Sequence, residues 1–187
     1  TIIGGGVIGA EYASILATMG IHVTLIERRP RLLEFVDQET IEALQYHMRS
    51  IGVVLRFNEE VVSVERTAGQ QVIVRLKSGK EIAASTVLYS VGRTGASATL
   101  NLHTIGLSAD ERGRLTVNEH YQTAAPHIYA AGDIIGFPAL ASTSMQQGRH
   151  AACHAFGIPC QTQSDLKPYG IYSIPEIPMI RRNEDDL

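Results

Sequence analysis

The sequence predicts an α/β fold: a parallel sheet flanked by helices, with an antiparallel β-meander attached. Three observations carry the prediction. The first residues, Thr1-Ile2-Ile3-Gly4-Gly5-Gly6-Val7-Ile8-Gly9-Ala10-Glu11, run from an apolar strand end through a glycine-rich turn into a helical pattern. Short β-branched runs then alternate with amphipathic stretches, as in parallel sheets built from strand–helix–strand units. Finally, two segments of alternating apolar and polar residues, 61–65 and 71–77, are followed by Ser78-Gly79-Lys80, which reads as an antiparallel meander with a Ser-Gly turn.

Taken in order, Gly4, Gly6 and Gly9 have the G-x-G-x-x-G spacing of a dinucleotide pyrophosphate turn. Such a turn requires a sharp bend at Gly4, a backbone free of Cβ at Gly6 so that a phosphate can approach, and close packing of helix on strand at Gly9. The helix that follows offers free amides to the anion. Residues 10–19 form that helix, with a small apolar inner face, and Gly20 ends it. Residues 21–26 are a second strand ending in Glu27, roughly 20 residues past the fingerprint, where an acidic side chain takes the adenine ribose hydroxyls. Arg28 and Arg29 follow at once, and a basic pair on this turn suits a ribose phosphate. The unit therefore reads as a Rossmann-like dinucleotide-binding domain.

Asp37 and Glu39 favour a helix start for the stretch reaching Arg49, and Gly52 stops it. Residues 53–57 are a third strand, residues 61–65 and 71–77 the meander, and residues 86–91 a further buried strand. The apolar runs 83–91 and 127–135 have the length and interruptions of buried parallel strands. The second of them ends in Gly132-Asp133, which would set a carboxylate at the sheet's carboxyl edge, where ligands of open α/β folds bind. Asp133 could equally cap the helical stretch 141–156. In the same way Glu11 is suited to the first turn of its helix.

Composition narrows the function. The chain has 187 residues, 44% hydrophobic, 19% charged, with a formal net charge of -3. There is no electrostatic case for nucleic acid, and no segment has the length of a membrane span or the form of a signal peptide, so a cytoplasmic protein is expected. Cys153 and Cys160 have neither C-x-x-C spacing nor a metal-ligand cluster around them, and read as ordinary reduced thiols. His47, His103, His120 and His150 lie among polar residues, where surface positions are expected. The start inside a strand, without Met, reads as an excerpt of a longer chain.

The ordered set of the glycine fingerprint, Val91-Gly92-Arg93, the stretch from Thr123 to Asp133, and Gln147-Gly148-Arg149 resembles the flavin-dependent pyridine nucleotide-disulfide oxidoreductases over nearly the whole chain. The resemblance implies an NAD(P)-binding domain at 1–120, the C-terminal part of an FAD-binding domain at 121–160, and the start of a dimerisation domain at 161–187, whose first strand is the stretch 170–177. It also implies NAD(P) and, in the full-length protein, FAD as cofactors, and a homodimer.

Matching residue to motif, the resemblance assigns Gly4, Gly6 and Gly9 to the nucleotide fingerprint, Glu11 to the nicotinamide end and Gly92 to the nucleotide cleft. It assigns Asp133 to the FAD ribityl chain, and Leu140 and Ala141 to the flavin ring. The quoted segments are most similar to the branch that passes hydride between NADPH or NADH and NAD(P)+ through FAD. A disulfide-reducing branch, or a non-catalytic dinucleotide-binding module, are the alternatives. The C-x-x-x-x-C of disulfide reductases is absent from these residues.

Overall fold

The computed structural model describes residues 1–160 and 168–180. The chain divides into two compact units, one comprising Thr1–Gly92 with Pro168–Leu187 and the other Arg93–Lys167. The division falls just after the last strand of the parallel sheet, where the chain from Arg93 onward packs mainly on itself.

In the first unit four short strands form the parallel sheet in the order β3-β2-β1-β7. They are β1 (Ile2–Ile3), β2 (Thr24–Ile26), β3 (Val54–Arg56) and β7 (Leu88–Tyr89). Ile2 pairs with Leu25 and Leu88, and Ile3 with Ile26 and Tyr89. The two-residue period of a strand then sorts the apolar side chains. Ile2 and Leu25 join the cluster under helices α1 (Val7–Thr18) and α2 (Gln38–Ser50), whereas Ile3 and Ile26 join Val74 and Leu76 of the meander. That meander consists of β4 (Val61–Arg66), β5 (Val72–Leu76) and β6 (Glu81–Ala84).

The inner face of α1 is Ala10, Ala13, Ser14 and Ala17, all buried, and these short side chains let the helix approach the sheet closely. Helix α2 buries Ile41, Leu44, Gln45 and Met48, a spacing of three and four residues that makes one stripe. Its first turn carries Glu39 and its last turn His47 and Arg49, so its charges suit the helix dipole at both ends.

Three expectations change. The run 127–135 is not a strand: its pairing is a single antiparallel bridge between Gln122 and Tyr129, followed by a 3-10 turn at Gly132–Ile135. Thr123 Oγ1 donates to the Ile128 carbonyl at 2.9 Å and closes a local turn, so this backbone is satisfied without a sheet. The expected strand at 86–91 shortens to Leu88–Tyr89, because the chain bends away at Gly92, where φ is +99°. The stretch 170–177 is a hairpin rather than one strand, with β8 (Pro168–Ile171) antiparallel to β9 (Ile177–Ile180). Ile171 and Ile177 of this hairpin are buried in the helix-side cluster of the first unit.

The second unit is mostly turns around helix α3 (Ala141–Ala155). Gly95 and Gly113 cross at backbone contact, and a Cβ on either would strike the carbonyl of the other. Thr143, Gln147 and Ala151, one above another on α3, form its buried face.

Candidate functional site

In the first unit a cleft of about 440 Å³ opens at the carboxyl ends of the parallel strands, lined by Gly4, Gly6, Glu27, Arg28, Arg29, Tyr89, Ser90 and Gly92 among others. Its floor is the glycine turn, and the three fingerprint glycines are required for different reasons. Gly4 has φ of +106°, and a Cβ there would lie 2.6 Å from the Ser90 carbonyl oxygen. Gly9 faces the Gly4 carbonyl so closely that any side chain would collide with it. Gly6 has neither constraint: its φ is -76° and a Cβ would meet nothing within 4 Å. Gly6 is also the N-cap of α1, with no side-chain cap and no acidic residue in the first turn. The amides at that helix end are open to an anion, with space above them that the protein itself does not fill.

Glu27 is buried, and both its oxygens are engaged. Oε2 accepts from the Gly5 amide at 2.5 Å and from Arg29 Nη2 at 3.1 Å. Oε1 accepts from the Arg29 amide at 2.9 Å and from Arg29 Nε at 3.0 Å. Burial works against its charge, yet the Arg29 and Gly5 donors outweigh burial and hold the carboxyl below its ordinary range. The structure thus gives Glu27 a tether to the glycine turn, with no lone pair left over for a ribose hydroxyl while Arg29 stays in place. Arg29 is likewise committed, pairing with Glu27 and, at 3.7 Å, with Glu34. Arg28 is exposed at the cleft mouth and, among the described residues, has no hydrogen bond or ion pair.

Gly5 escaped the sequence analysis. A Cβ on it would lie 2.6 Å from Leu32 Cδ2 and 3.0 Å from Glu27 Oε2, so a side chain here would have to displace Leu32 and the carboxylate that the Gly5 amide holds. The uninterrupted Gly4-Gly5-Gly6 was its signal, because the fingerprint explains only two of the three. Ser90 was also missed; its Oγ donates to the Ile3 carbonyl at 2.9 Å and fixes the strand end beneath the turn.

Glu11 is not in the first turn. Because α1 begins at Val7, Glu11 lies in the second turn, where its Oε1 accepts from the Tyr172 amide of the hairpin at 2.9 Å. It is not among the residues lining the cleft.

In the second unit, Gly132 has φ of +83° and donates its amide to Gln147 Oε1 at 2.7 Å, so a buried side chain of α3 holds the Gly-Asp turn. Asp133 points to solvent and accepts from Arg93 Nη1 at 3.0 Å, and it does not cap α3. Leu140 is the extended N-cap residue of α3, and Ala141 begins the helix exposed. No side chain caps this helix end either.

The family profile described as pyridine nucleotide-disulphide oxidoreductase matches residues 1–148. This chain belongs to that family. It is 50% identical over 186 residues to a soluble pyridine nucleotide transhydrogenase of Mycobacterium bovis, covering 100% of this chain and 40% of that protein. It is 48% identical to one of Chromohalobacter salexigens with the same coverage. The chain therefore spans about 40% of the length of these relatives. Among solved structures, LpdA from Mycobacterium tuberculosis superposes with a TM-score of 0.88 at 31% identity, over 95% of this chain and 39% of that one. The HOCl-induced flavoprotein disulfide reductase RclA from Escherichia coli superposes with a TM-score of 0.90 at 27% identity, over 99% of this chain and 42% of that one.

Proposed function

We propose that the chain is the nicotinamide-nucleotide half of a flavoprotein that transfers hydride between NADPH or NADH and NAD(P)+ through FAD. Residues 1–120 would be the NAD(P)-binding domain, residues 121–160 part of the FAD-binding domain, and residues 161–187 the start of a dimerisation domain in a cytoplasmic homodimer. The relatives named transhydrogenase, at about half identity over the whole chain, support the choice of reaction. The structural likeness to a disulfide reductase supports the alternative branch, at lower identity.

One observation carries the nucleotide assignment. Gly6 needs to be glycine for no conformational or packing reason within the protein, and it stands at an uncapped helix end inside the cleft. A pyrophosphate seated on the α1 amides supplies that reason. Gly4 and Gly9 shape the turn, Arg28 is the cation available to a ribose phosphate, and Gly92 leaves the opposite wall open. Glu27 would reach the adenine ribose only if Arg29 releases it, and Glu11 would serve the nicotinamide end. In the second unit, Asp133 and the open α3 end at Leu140 and Ala141 suit the ribityl chain and ring of FAD, whose bound isoalloxazine supplies the hydride-accepting centre. On this reading these residues position the cofactors for hydride transfer.

The test is a titration of NADH and NADPH against Gly6→Ala, which changes stability by less than about 1 kcal/mol but lowers affinity for both nucleotides at least about tenfold. In the same titration Arg28→Ala lowers NADPH affinity roughly tenfold and leaves NADH unchanged, since a charge-assisted bond is worth about 1.5–3 kcal/mol. Unaltered binding in Gly6→Ala would remove the assignment.

A further inference from the structure

The last turn of α3 and the segment beyond it bring two thiols together. The helix ends at Ala155, and Gly157 follows with φ of +63°, the left-handed conformation that reverses a chain at a helix terminus. The Gly157 amide donates to the His154 carbonyl at 3.2 Å and the Ile158 amide to the Cys153 carbonyl at 2.9 Å, so the chain folds back over the residue that bears the first thiol. Pro159 has a fixed φ and no amide to donate, and Cys160 comes next. This reversal brings the Cys160 thiol near enough to the Cys153 thiol for the two to interact. Both are free and half-buried, open enough for a small reagent to reach. The contact with Cys160, then burial, holds Cys153 above the ordinary thiol range, while Arg149 on the preceding turn works the other way. The pair is thus protected from casual reaction yet placed for closure once either thiol is captured.

We propose that Cys153 and Cys160 are a reversible dithiol–disulfide site, closed by low-molecular-weight disulfides such as oxidised glutathione. In the first step one protein thiolate attacks a sulfur of the small disulfide, whose S–S bond breaks; a mixed disulfide forms and one small thiolate leaves. In the second step the neighbouring protein thiol loses its proton and attacks the protein sulfur of the mixed disulfide, displacing the second small thiolate. Two protein thiols are oxidised, one small disulfide is reduced to two thiols, and the two protons given up by the protein end on them. The bond ties the last turn of α3 to the chain that follows it. Neither cysteine lines the cleft of the first unit, and the site does not depend on the function proposed above.

The native chain is incubated with oxidised glutathione, remaining thiols are alkylated, and the protein is digested with trypsin. Cleavage after Arg149 and resistance of Lys167-Pro168 leave both cysteines in the single peptide 150–181. The expected peptide is lighter by two hydrogens and carries no alkyl group, and dithiothreitol restores two alkylation sites. Backbone amides of residues 156–158 and 160 exchange several-fold more slowly in the oxidised protein. Cys160→Ser, checked by circular dichroism, retains glutathione on Cys153 as a stable adduct, because no resolving thiol remains. Recovery of two alkylated cysteines, or a glutathione adduct that persists in the unsubstituted chain without closing, overturns the proposal whatever the variant does.

Discussion

At Glu27 a single carboxylate organises the glycine turn, a part that its spacing from the fingerprint did not show. The side chain is 5% exposed and receives donors from Gly5 and Arg29. Replacing it by Gln turns one acceptor into a donor that faces the Gly5 amide or the Arg29 guanidinium. Glu27→Gln should therefore lower stability by about 1.5–3 kcal/mol at neutral pH, measured by urea unfolding. The folded carboxyl lies below its ordinary 4.5, so its contribution is complete above that value and disappears as pH falls through the folded value. The gap between the native chain and Glu27→Gln should accordingly narrow in acid. A gap independent of pH would show that the pairing contributes nothing through charge.

Among the elements, the hairpin β8–β9 is fixed to the first unit both by core burial and by hydrogen bonds. It buries Ile171 and Ile177 in the helix-side core of the first unit, and its backbone reaches α1 through two side chains. Glu11 accepts from the Tyr172 amide, and the buried Ser14 hydroxyl accepts from the Ile174 amide at 3.0 Å. A fully buried isoleucine cut to alanine costs about 2–5 kcal/mol. Ile171→Ala should lower the stability of the first unit by that amount in denaturant unfolding, whereas an ornamental hairpin would give less than about 0.5 kcal/mol. Helix α3 has the corresponding part in the second unit, since Gln147 is the buried acceptor that holds the Gly132 amide.

On the scale of the whole molecule, the chain spans about 40% of the length of its relatives, and for the proposed flavin role the described residues of the second unit would offer an exposed Asp133 and one open helix end. The nucleotide cleft, by contrast, is lined entirely from the first unit. The 187-residue chain should therefore purify without flavin colour, bind NADH and NADPH, and transfer no hydride between NADPH and an NAD analogue. Absorbance spectra of the purified chain and of one extended upstream check this, the longer protein gaining the flavin bands. Stoichiometric FAD on the short chain would contradict the proposed domain path.

The sequence by itself determined the parallel sheet, the meander and the fingerprint glycines, because these follow from local rules: apolar period, turn chemistry and the spacing of glycines around a helix start; the family came from the likeness of an ordered set of motifs to known proteins. It could tell that Gly4, Gly6 and Gly9 belong together, but not that Gly4 and Gly9 satisfy the protein while Gly6 faces open space. It put Glu27 and the arginines on one turn, yet which arginine is committed depends on how the Gly5 amide draws the carboxylate inward across 22 residues. It left Cys153 and Cys160 as unrelated thiols, since their meeting rests on one left-handed glycine and a backbone reversal rather than on a recognised spacing. The run 127–135 misled for the same reason: an apolar segment becomes a strand only when a neighbour is there to pair with it, and here turn-forming hydrogen bonds took that backbone first. Tertiary structure decided these points because each depends on groups distant in the chain competing for the same few donors, acceptors and buried space.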